Sequence, residues 1–460
     1  MLGHLLRPEI EEIIRSGDLR SLRFALEDLS PAELADALED LPPERSAIIF
    51  RVLPRPTAAA VFEFLPHWAQ EEILRALGDV ETAQILNAMS PDDRTRLLEE
   101  LPAEATKRLL EMLSTDQLQI AQRLLGYPED SVGRRMTPNY VAVQQHWNVG
   151  QVLAYARKHA SHSETLGVLY VIDPAGKLVD DVRIADVLMA EDSRPVDSLL
   201  DHTFVSLKAT DDQEAAVAAF LRSDRREALP VTDSENVLVG IVTSDDIMDV
   251  AEEEATEDIH KMGGSEALDE PYLQIAFRRM VKKRAGWLVI LFLGEMLTAT
   301  AMAHFEEEIA KAVVLALFVP LIISSGGNSG SQAATLVIRA MAIGEVRIAD
   351  WWRVMRREIA SGLALGTILG SIGFLRVTVW SAFSSIYGPH WFFIALTVGV
   401  SLIGVVLWGT LSGSMLPFVL RRLGFDPATS SAPFVATLVD VTGLVIYFSI
   451  AAFILQGKLL

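Results

Sequence analysis

Long uncharged runs in the C-terminal part of this chain constrain its fold more than any other feature. A helix needs roughly 20 apolar residues to cross about 30 Å of hydrocarbon, and runs of that length occur only after Lys282. Inside a membrane the backbone must satisfy its own hydrogen bonds, which favours helices. We therefore predict an α-helical transmembrane bundle of five helices over residues 281–460, at about Gly286–Ala303, Ala312–Ile338, Ile359–Trp380, Trp391–Leu420 and Ala432–Leu455.

The charges between these runs indicate their orientation. Basic residues precede the first run and follow the second and the fourth, whereas the loop after the first run is acidic and the loop 381–390 has no Lys or Arg. Basic loops stay on the cytoplasmic side, so we expect the N-terminus inside and the C-terminus outside. The first thirty residues lack the apolar stretch of a signal peptide, and we expect no cleavage there.

Charge divides the chain into two halves of opposite sign. Residues 1–270 carry 25 Lys and Arg against 52 Asp and Glu, whereas residues 271–460 carry 15 against 9. The acidic half argues against nucleic acid as a partner and favours cations. The chain has no cysteine, which excludes disulfides, thiolate metal sites and cysteine catalysis. It also has no P-loop and no phosphorylation-type motif, so we expect neither a pump nor an enzyme.

Regularly spaced prolines indicate short helices in residues 1–130. The segments LSPAELADALEDLPPE and MSPDDRTRLLEELPAE are similar, and each begins a helix with Ser and Pro. Stacked short helices of this kind build superhelices. We predict an all-α superhelical N-terminal domain, with an irregular helical bundle as the alternative. The punctuating residues are Pro31, Pro42, Pro54, Pro66, Pro91 and Pro102.

Alternating strands and helices follow in two similar units, at 136–198 and 199–246. The segments LGVLYVIDPAGKLVDDVRIADVL and EALPVTDSENVLVGIVTSDDIM align as an internal repeat. The two units resemble an α/β tandem pair of CBS domains, which commonly bind adenine nucleotides or act as dimerising switches.

The resemblance leaves one nucleotide site open, in the second unit. Residues 240–246 match the CBS pattern G-h-h-T-x-x-D, in which Thr243 would hold phosphate and Asp246 would hold the ribose hydroxyls. The first unit keeps Asp186 but lacks the corresponding glycine and threonine. ATP or another adenine nucleotide is therefore a possible cofactor of the second unit, and the alternative is that Thr243 only caps the helix that follows.

An acidic segment, residues 247–280 in our division of the chain, connects the soluble half to the membrane half. Positions 246, 249, 253 and 257 are all acidic and share one helix face. Like charges at this spacing destabilise a helix unless cations or partners offset them, and oxygen ligands suit a hard divalent cation. We interpret the segment as a cation sensor; a solvated acidic face is the alternative.

Polar residues within the apolar runs are the candidates for an ion pathway. The second run contains the small and polar stretch 324–332, and the fifth contains an acid about eight residues from its start. An intramembrane carboxylate is costly unless it meets water or a partner, which makes it a functional candidate. Glu295 in the first run is the competing acid, with a hydrogen bond to a neighbouring helix as its other role. The predicted pathway residues are Asp440, Ala436, Thr437, Asn328 and Ser331.

Two membrane motifs, GGNSGSQAATLVIRA and DPATSSAPFVATLVDVTG, together with the domain order, resemble the MgtE family of magnesium channels. The resemblance implies a homodimer in a bacterial-type plasma (inner) membrane, with the ion path on its two-fold axis. It implies Mg²⁺ entry into the cytosol, with Asp440 as the pore aspartate and Ala436 one turn before it. It also implies closure by Mg²⁺ at the acidic residues Asp246, Asp249, Glu254, Glu257 and Asp258, faced by Asp92, Asp93 and Asp224.

Two other classes of function stay open at this point. A secondary transporter that couples a divalent cation to Na⁺ or H⁺ would also use an intramembrane acid. A membrane-anchored CBS sensor without transport would need neither that acid nor the small-residue stretch. Oxygen ligands accept Mg²⁺, Mn²⁺, Co²⁺ and Ca²⁺ alike, so the residue types leave the selectivity open.

Overall fold

The structure is a computed structural model that describes residues 2–39, 41–160, 163–223, 226–268, 272–273, 275–311 and 313–456. It separates into two compact units, residues 1–252 and residues 253–460. The first holds the helical domain and the CBS pair, and the second holds the membrane helices.

Short helices stack in two layers through the first 125 residues. Helices two apart in the chain pack together, α1 on α3 and α5 on α7 in one layer, α2 on α4 and α4 on α6 in the other. Leu34, Phe50, Phe62 and Leu86 are buried between the layers. The predicted all-α superhelical domain is confirmed. Its helices are α1 Leu2–Ser16, α2 Leu19–Glu27, α3 Pro31–Glu39, α4 Pro43–Val52, α5 Arg55–Glu63, α6 His67–Ala76, α7 Asp79–Ala88, α8 Pro91–Glu100, α9 Ala103–Glu111 and α10 Thr115–Leu125.

Two three-stranded sheets confirm the CBS pair. In each sheet the middle strand pairs parallel with the first strand and antiparallel with the third. Val132 and Met136 are buried in the core of the second sheet. The chain therefore contacts the second CBS unit before it forms the first CBS unit. The elements are β1 Ala142–Gln144, α11 Val149–His159, β2 Val168–Ile172, β3 Leu178–Arg183, α12 Ile184–Met189, β4 Leu207–Lys208, α13 Gln213–Phe220, β5 Ala228–Thr232 and β6 Leu238–Thr243.

The acidic connecting helix, α14, spans Ser244–Met262. It follows β6 without a break and is shorter than the segment 247–280. Gly264 adopts a left-handed φ of +73°, which ends the helix. A side chain at Gly264 would also collide with Trp287, because a Cβ atom there would lie 2.8 Å from Cδ1 of the indole. Both the backbone conformation and the space therefore favour glycine at this position.

Five helical spans among the described residues are long and apolar enough to cross a membrane, at 277–304, 313–342, 348–383, 385–422 and 432–455. The predicted number and order of spans are confirmed. The second span starts with a turn of 3-10 helix at 313–318, and its α-helix begins only at Val319. The α-helices are α15 Phe277–His304, α16 Glu306–Lys311, α17 Val319–Ala342, α18 Trp351–Phe383, α19 Trp391–Arg422 and α20 Ala432–Leu455.

Backbone contact between α17 and α19 holds the centre of the membrane bundle together. A Cβ atom at Gly413 would overlap the carbonyl oxygen of Gly330, and one at Gly409 would overlap that of Gly326. Glycines let membrane helices approach closely enough for extensive van der Waals contact. The small residues of α17 therefore serve packing on one face, which leaves the opposite face for other uses.

We expect Gly413→Ala to destabilise the membrane bundle by about 1–3 kcal/mol, because the added methyl group overlaps the backbone of α17. Gly404→Ala is the matched control, since a Cβ atom there would meet Ile446 and Ile450 at an ordinary 3.4 Å. Thermal unfolding in detergent, monitored by size-exclusion chromatography, gives the melting temperature of each variant. Equal melting temperatures for the two variants would contradict the close contact.

Candidate ion pathway and acidic cluster

Asp440 lies on α20 opposite a glycine of α17. A Cβ atom built on Gly327 would lie 3.7 Å from Oδ1 of Asp440 and 3.5 Å from Cβ of Ala436. Ala436 and Asp440 are one turn apart, and both are half-buried. The structure thus brings these two predicted pathway residues to the line where α17 meets α20, and no side chain at position 327 covers the carboxylate.

A polar stripe runs along the exposed face of α17. We use this name for Ser324, Asn328, Gln332 and Thr335, which recur about once per turn and are all exposed. Asn328 Nδ2 donates to Ser324 Oγ at 3.4 Å, within the stripe. Amide and hydroxyl groups are costly in hydrocarbon unless they meet water or a partner. The stripe is therefore suited to a water-filled path or a protein interface and not to lipid.

The other two predicted pathway residues take part in helix contacts. Ser331 Oγ donates to the carbonyl oxygen of Ala432 at 3.0 Å, which ties α17 to the start of α20. Thr437 lies against α15, because a Cβ atom on Gly294 would be 3.1 Å from its Cγ2. Gln332 and Thr335 were not predicted individually from the sequence as pathway residues, although their helical spacing from Asn328 and Ser331 was a usable signal.

A second acidic centre lies within residues 1–252, between α8 and the start of α14. Asp92 is 6% exposed, and its Oδ1 has no hydrogen-bond partner among the described residues. Burial raises the pKa of Asp92 well above its ordinary range, and the carboxyl group of Asp246 raises it further. Burial likewise raises the pKa of Asp246 to about 7, with Asp93 and Asp245 adding to the effect. These side chains repel one another when they are charged.

Two further acids belong to this centre, and neither was predicted from the sequence. Glu63, at the end of α5, accepts the backbone N–H of Ser90 at 2.7 Å, and burial raises its pKa to about 7. Glu164, from the loop before β2, acts electrostatically on Asp93 and on Glu63. Only the fold could reveal them, since they are far from α14 in the chain. The acidic cluster is hereafter the set Glu63, Asp92, Asp93, Glu164, Asp245 and Asp246.

Some predicted metal ligands already have partners within the chain. Arg96 Nη1 lies 2.8 Å from Oδ2 of Asp249, so an arginine offsets this exposed acid. Thr243 Oγ1 donates to Oδ2 of Asp246. The backbone N–H of Thr243 also donates to Oδ2 of Asp246, at 3.4 Å, so the carboxylate of Asp246 accepts a backbone N–H just before α14 begins.

The C-terminal end of α14 contacts the turn before the fifth span. Lys261 Nζ lies 2.5 Å from Oε1 of Glu257 and 2.7 Å from Oδ2 of Asp426. Burial disfavours the charged lysine, but hydrogen bonds to Asp426 and Glu257 outweigh it and raise its pKa above the ordinary value. Glu257 therefore has a lysine as its counter-ion. Glu254 and Asp258 are half-buried on the same helix.

The described residues contain no group of three carboxylate or imidazole side chains arranged to hold one metal ion. Asp224, which the family resemblance placed near α14, lies outside the described residues. A cation at the acidic cluster would therefore bind through waters or draw the carboxylates closer together, which is a common way for Mg²⁺ to bind to proteins.

Comparisons with known proteins agree with this architecture. Family profiles match at residues 319–450 ("Divalent cation transporter"), 29–130 ("MgtE intracellular N domain") and 196–253 ("CBS domain"). The chain is 41% identical to the magnesium transporter MgtE of Thermus thermophilus over 73% of this chain and 72% of that protein. It is 32% identical to the Enterococcus faecalis protein of the same name, over 73% and 71%.

A crystal structure of the cytosolic domain of the Mg²⁺ channel MgtE in complex with ATP superposes with a TM-score of 0.51. The sequence identity is 32%, and the match covers 53% of this chain and all of that domain. The soluble part of a magnesium transporter gives the same TM-score at 24% identity, which supports the fold alone.

Without divalent cations, we expect residues 1–252 to lose stability as the pH rises from about 4 to about 7. Folding raises the pKa of Asp246 from 3.8 to about 7, so the folded state holds protons that the unfolded state has released. This stabilisation is complete below the unfolded pKa and is lost as the pH passes the folded pKa. Circular dichroism of the full chain in detergent at each pH gives the melting temperature of the first transition, which we assign to residues 1–252.

Asp246→Asn should raise that melting temperature at about pH 8 and flatten its dependence on pH, because the variant removes one repelling charge. Asp186→Asn is the control: Asp186 occupies the corresponding position in the first CBS unit, is exposed and pairs with Arg183 at 2.9 Å. A pH profile that Asp246→Asn leaves unchanged would show that charge repulsion at Asp246 does not limit stability.

Proposed function

This chain belongs to the MgtE family of divalent cation transporters, and we propose that it is a magnesium channel that Mg²⁺ itself closes from the cytosolic side. The relatives at 41% and 32% identity are named magnesium transporters, and the similar cytosolic domain comes from a protein described as a Mg²⁺ channel. The observation that carries the proposal is the polar stripe of α17 beside Asp440.

The ion pathway is formed by two copies of the chain. A polar stripe on an exposed membrane helix needs a second protein surface or water. A second copy of the chain, related by a two-fold axis along this face, supplies the surface and encloses a water-filled path. Each protomer then contributes one Asp440 and one stripe. Mg²⁺ dehydrates reluctantly, so the carboxylates and amides accept hydrogen bonds from its water shell and select the hydrated ion by size. The charge of the ion offsets the cost of holding carboxylates at bilayer depth.

The N-terminus and the CBS pair lie in the cytosol, and the C-terminus lies outside a bacterial-type inner membrane. The basic residues that flank the spans support this orientation. Mg²⁺ moves into the cytosol through the pathway, because a negative membrane potential on the inside favours entry of a divalent cation.

The acidic cluster acts as the sensor of cytosolic Mg²⁺. Its carboxylates come from α5, α8, the loop before β2 and α14, so bound Mg²⁺ draws these elements together and mutual repulsion drives them apart when Mg²⁺ is scarce. Any movement passes along α14, which is continuous from Ser244 to Met262. Just after its end, Gly264 lies against Trp287 of the first span and Pro433 at the start of the fifth span.

The second CBS unit binds an adenine nucleotide in this scheme. The ATP complex of the related cytosolic domain supports this part of the proposal. Thr243 and Asp246, which now bond each other, would exchange that bond for contacts to phosphate and to ribose hydroxyls. Because Asp246 also belongs to the acidic cluster, nucleotide and Mg²⁺ would influence each other at one residue.

Asp440→Asn should abolish the Mg²⁺ current, because it removes the charge of the pathway while keeping the shape of the side chain. Single-channel recording from reconstituted liposomes at low internal Mg²⁺ is the measurement. Glu345→Gln, an exposed acid in the loop after α17, is the control and should conduct normally. Unchanged openings in Asp440→Asn would contradict the assigned pathway, and Mg²⁺ flux without unitary openings would favour a coupled carrier.

The combined variant Asp92→Asn, Asp246→Asn, Asp249→Asn should stay open at internal Mg²⁺ concentrations that close the parent. We expect the half-inhibitory concentration to rise by roughly tenfold or more, since each lost charge weakens cation binding. The conductance at low internal Mg²⁺ should not change, because Asp440 is intact. Inhibition identical to the parent's would refute sensing by these three acids.

A further inference from the structure

Glu295 is an acid in the middle of a membrane helix, and the proposed function does not yet use it. It is the one acidic residue in the sequence of α15 and lies eight residues after Trp287. Its side chain is exposed, and its Oε1 accepts a hydrogen bond from Thr298 Oγ1 at 3.3 Å. A carboxylate at this depth needs water, a cation or a protein partner.

Two contacts set the register between α15 and α20. Trp287 Nε1 donates to Ser431 Oγ at 3.1 Å, just before α20 begins. About two turns further along, Gly294 approaches Thr437 so closely that a Cβ atom on Gly294 would lie 3.1 Å from Cγ2 of Thr437. Both contacts advance in the same direction along the chain, so α15 and α20 run parallel where they touch.

This register places Glu295 and Asp440 at the same depth. At about 1.5 Å of rise per residue, Glu295 lies about 12 Å beyond the level of Trp287, and Asp440 about 13.5 Å beyond that of Ser431. Glu295 is also the charged side chain that acts electrostatically on the Asp440 carboxyl group. Depth and electrostatics therefore pair these acids, although they are far apart in the sequence.

We propose that Glu295 is a second acidic residue of the ion pathway, and that it sets the preference for divalent over monovalent cations. The proposal rests on the pathway along Asp440 described above. A second carboxylate at one depth attracts a divalent ion about twice as strongly as a monovalent ion at equal distance. It also offers further acceptors for the waters of hydrated Mg²⁺, so it favours divalent ions without removing their water shell.

The competing role for Glu295 is structural, with Thr298 as its partner. Glu295→Gln keeps the length of the side chain and can still accept that hydrogen bond, but it lacks the charge. Thr298→Ala removes the hydrogen bond and keeps the charge. The two variants therefore separate an electrostatic role in the pathway from a role in folding.

The test is electrical recording from the full chain in liposomes, with the parent, Glu295→Gln, Thr298→Ala, Asp440→Asn and Glu307→Gln. Glu307 is an exposed acid just after α15 and controls for loss of a carboxylate outside the pathway. Two quantities are measured at low internal Mg²⁺: the Mg²⁺ concentration for half-maximal current, and the reversal potential with Mg²⁺ opposed to K⁺. Hexaamminecobalt(III), a cation shaped like hydrated Mg²⁺, serves as a blocker.

Glu295→Gln should still conduct, with its half-saturating Mg²⁺ concentration raised by about tenfold, weaker block by the cobalt complex and a larger K⁺ contribution to the reversal potential. Thr298→Ala and Glu307→Gln should match the parent. If Glu295→Gln has the half-saturating concentration and reversal potential of the parent, this inference is overturned. The pathway along Asp440 still stands in that case, provided that Asp440→Asn carries no current. Equal changes in Thr298→Ala would assign Glu295 a structural role.

A conducting Asp440→Asn would instead overturn the pathway itself. If Glu295→Gln were not recovered as folded protein, Glu295→Asp would serve, since it keeps the charge and shortens the side chain by one methylene group. A raised half-saturating concentration in Glu295→Asp supports the pathway role, and an unchanged one overturns it.

Discussion

Carboxylates held away from bulk water are the constraint on which this protein depends. Asp92 is buried with one oxygen unpartnered among the described residues, and Asp440 stands at bilayer depth opposite a glycine. Each placement costs free energy that a mobile cation can offset. In the proposed function, a divalent cation would offset this cost in both units.

Basic side chains of the protein neutralise some of its acids. Arg96 pairs with the exposed Asp249, and Lys261 pairs with Glu257 and Asp426, so these acids are already partly neutralised. In the acidic cluster, neighbouring carboxylates add to the effect of burial and raise the pKa of Asp92 and Asp246 further, while Arg94 acts on Asp92 and Glu63 and Arg96 acts on Asp93. In the proposed sensor, Mg²⁺ would offset the repulsion between carboxylates that these arginines leave in place.

Close backbone packing and the polar stripe are two faces of one helix. Gly326 and Gly330 bring α17 against α19 on one side, and this leaves the amide and hydroxyl groups of the stripe on the other. The glycines of α17 allow it to pack closely against α19. At Gly327, α17 also comes close to Ala436 and Asp440 of α20, so the polar stripe lies near this carboxylate. The small-residue stretch thus contributes to packing and, in the proposed function, to the pathway.

The sequence by itself determined the architecture: apolar runs of sufficient length specify the spans, proline spacing specifies the short helices, and the internal repeat specifies the paired sheets. It also identified Asp440, since an acid in an apolar run is conspicuous without a structure. Only the tertiary structure decided which acids meet. Glu63 and Glu164 join Asp92 and Asp246, and Glu295 shares the depth of Asp440, through contacts between residues far apart in the chain. Local patterns carry no information on such contacts, because burial and charge repulsion depend on the distance between side chains in space.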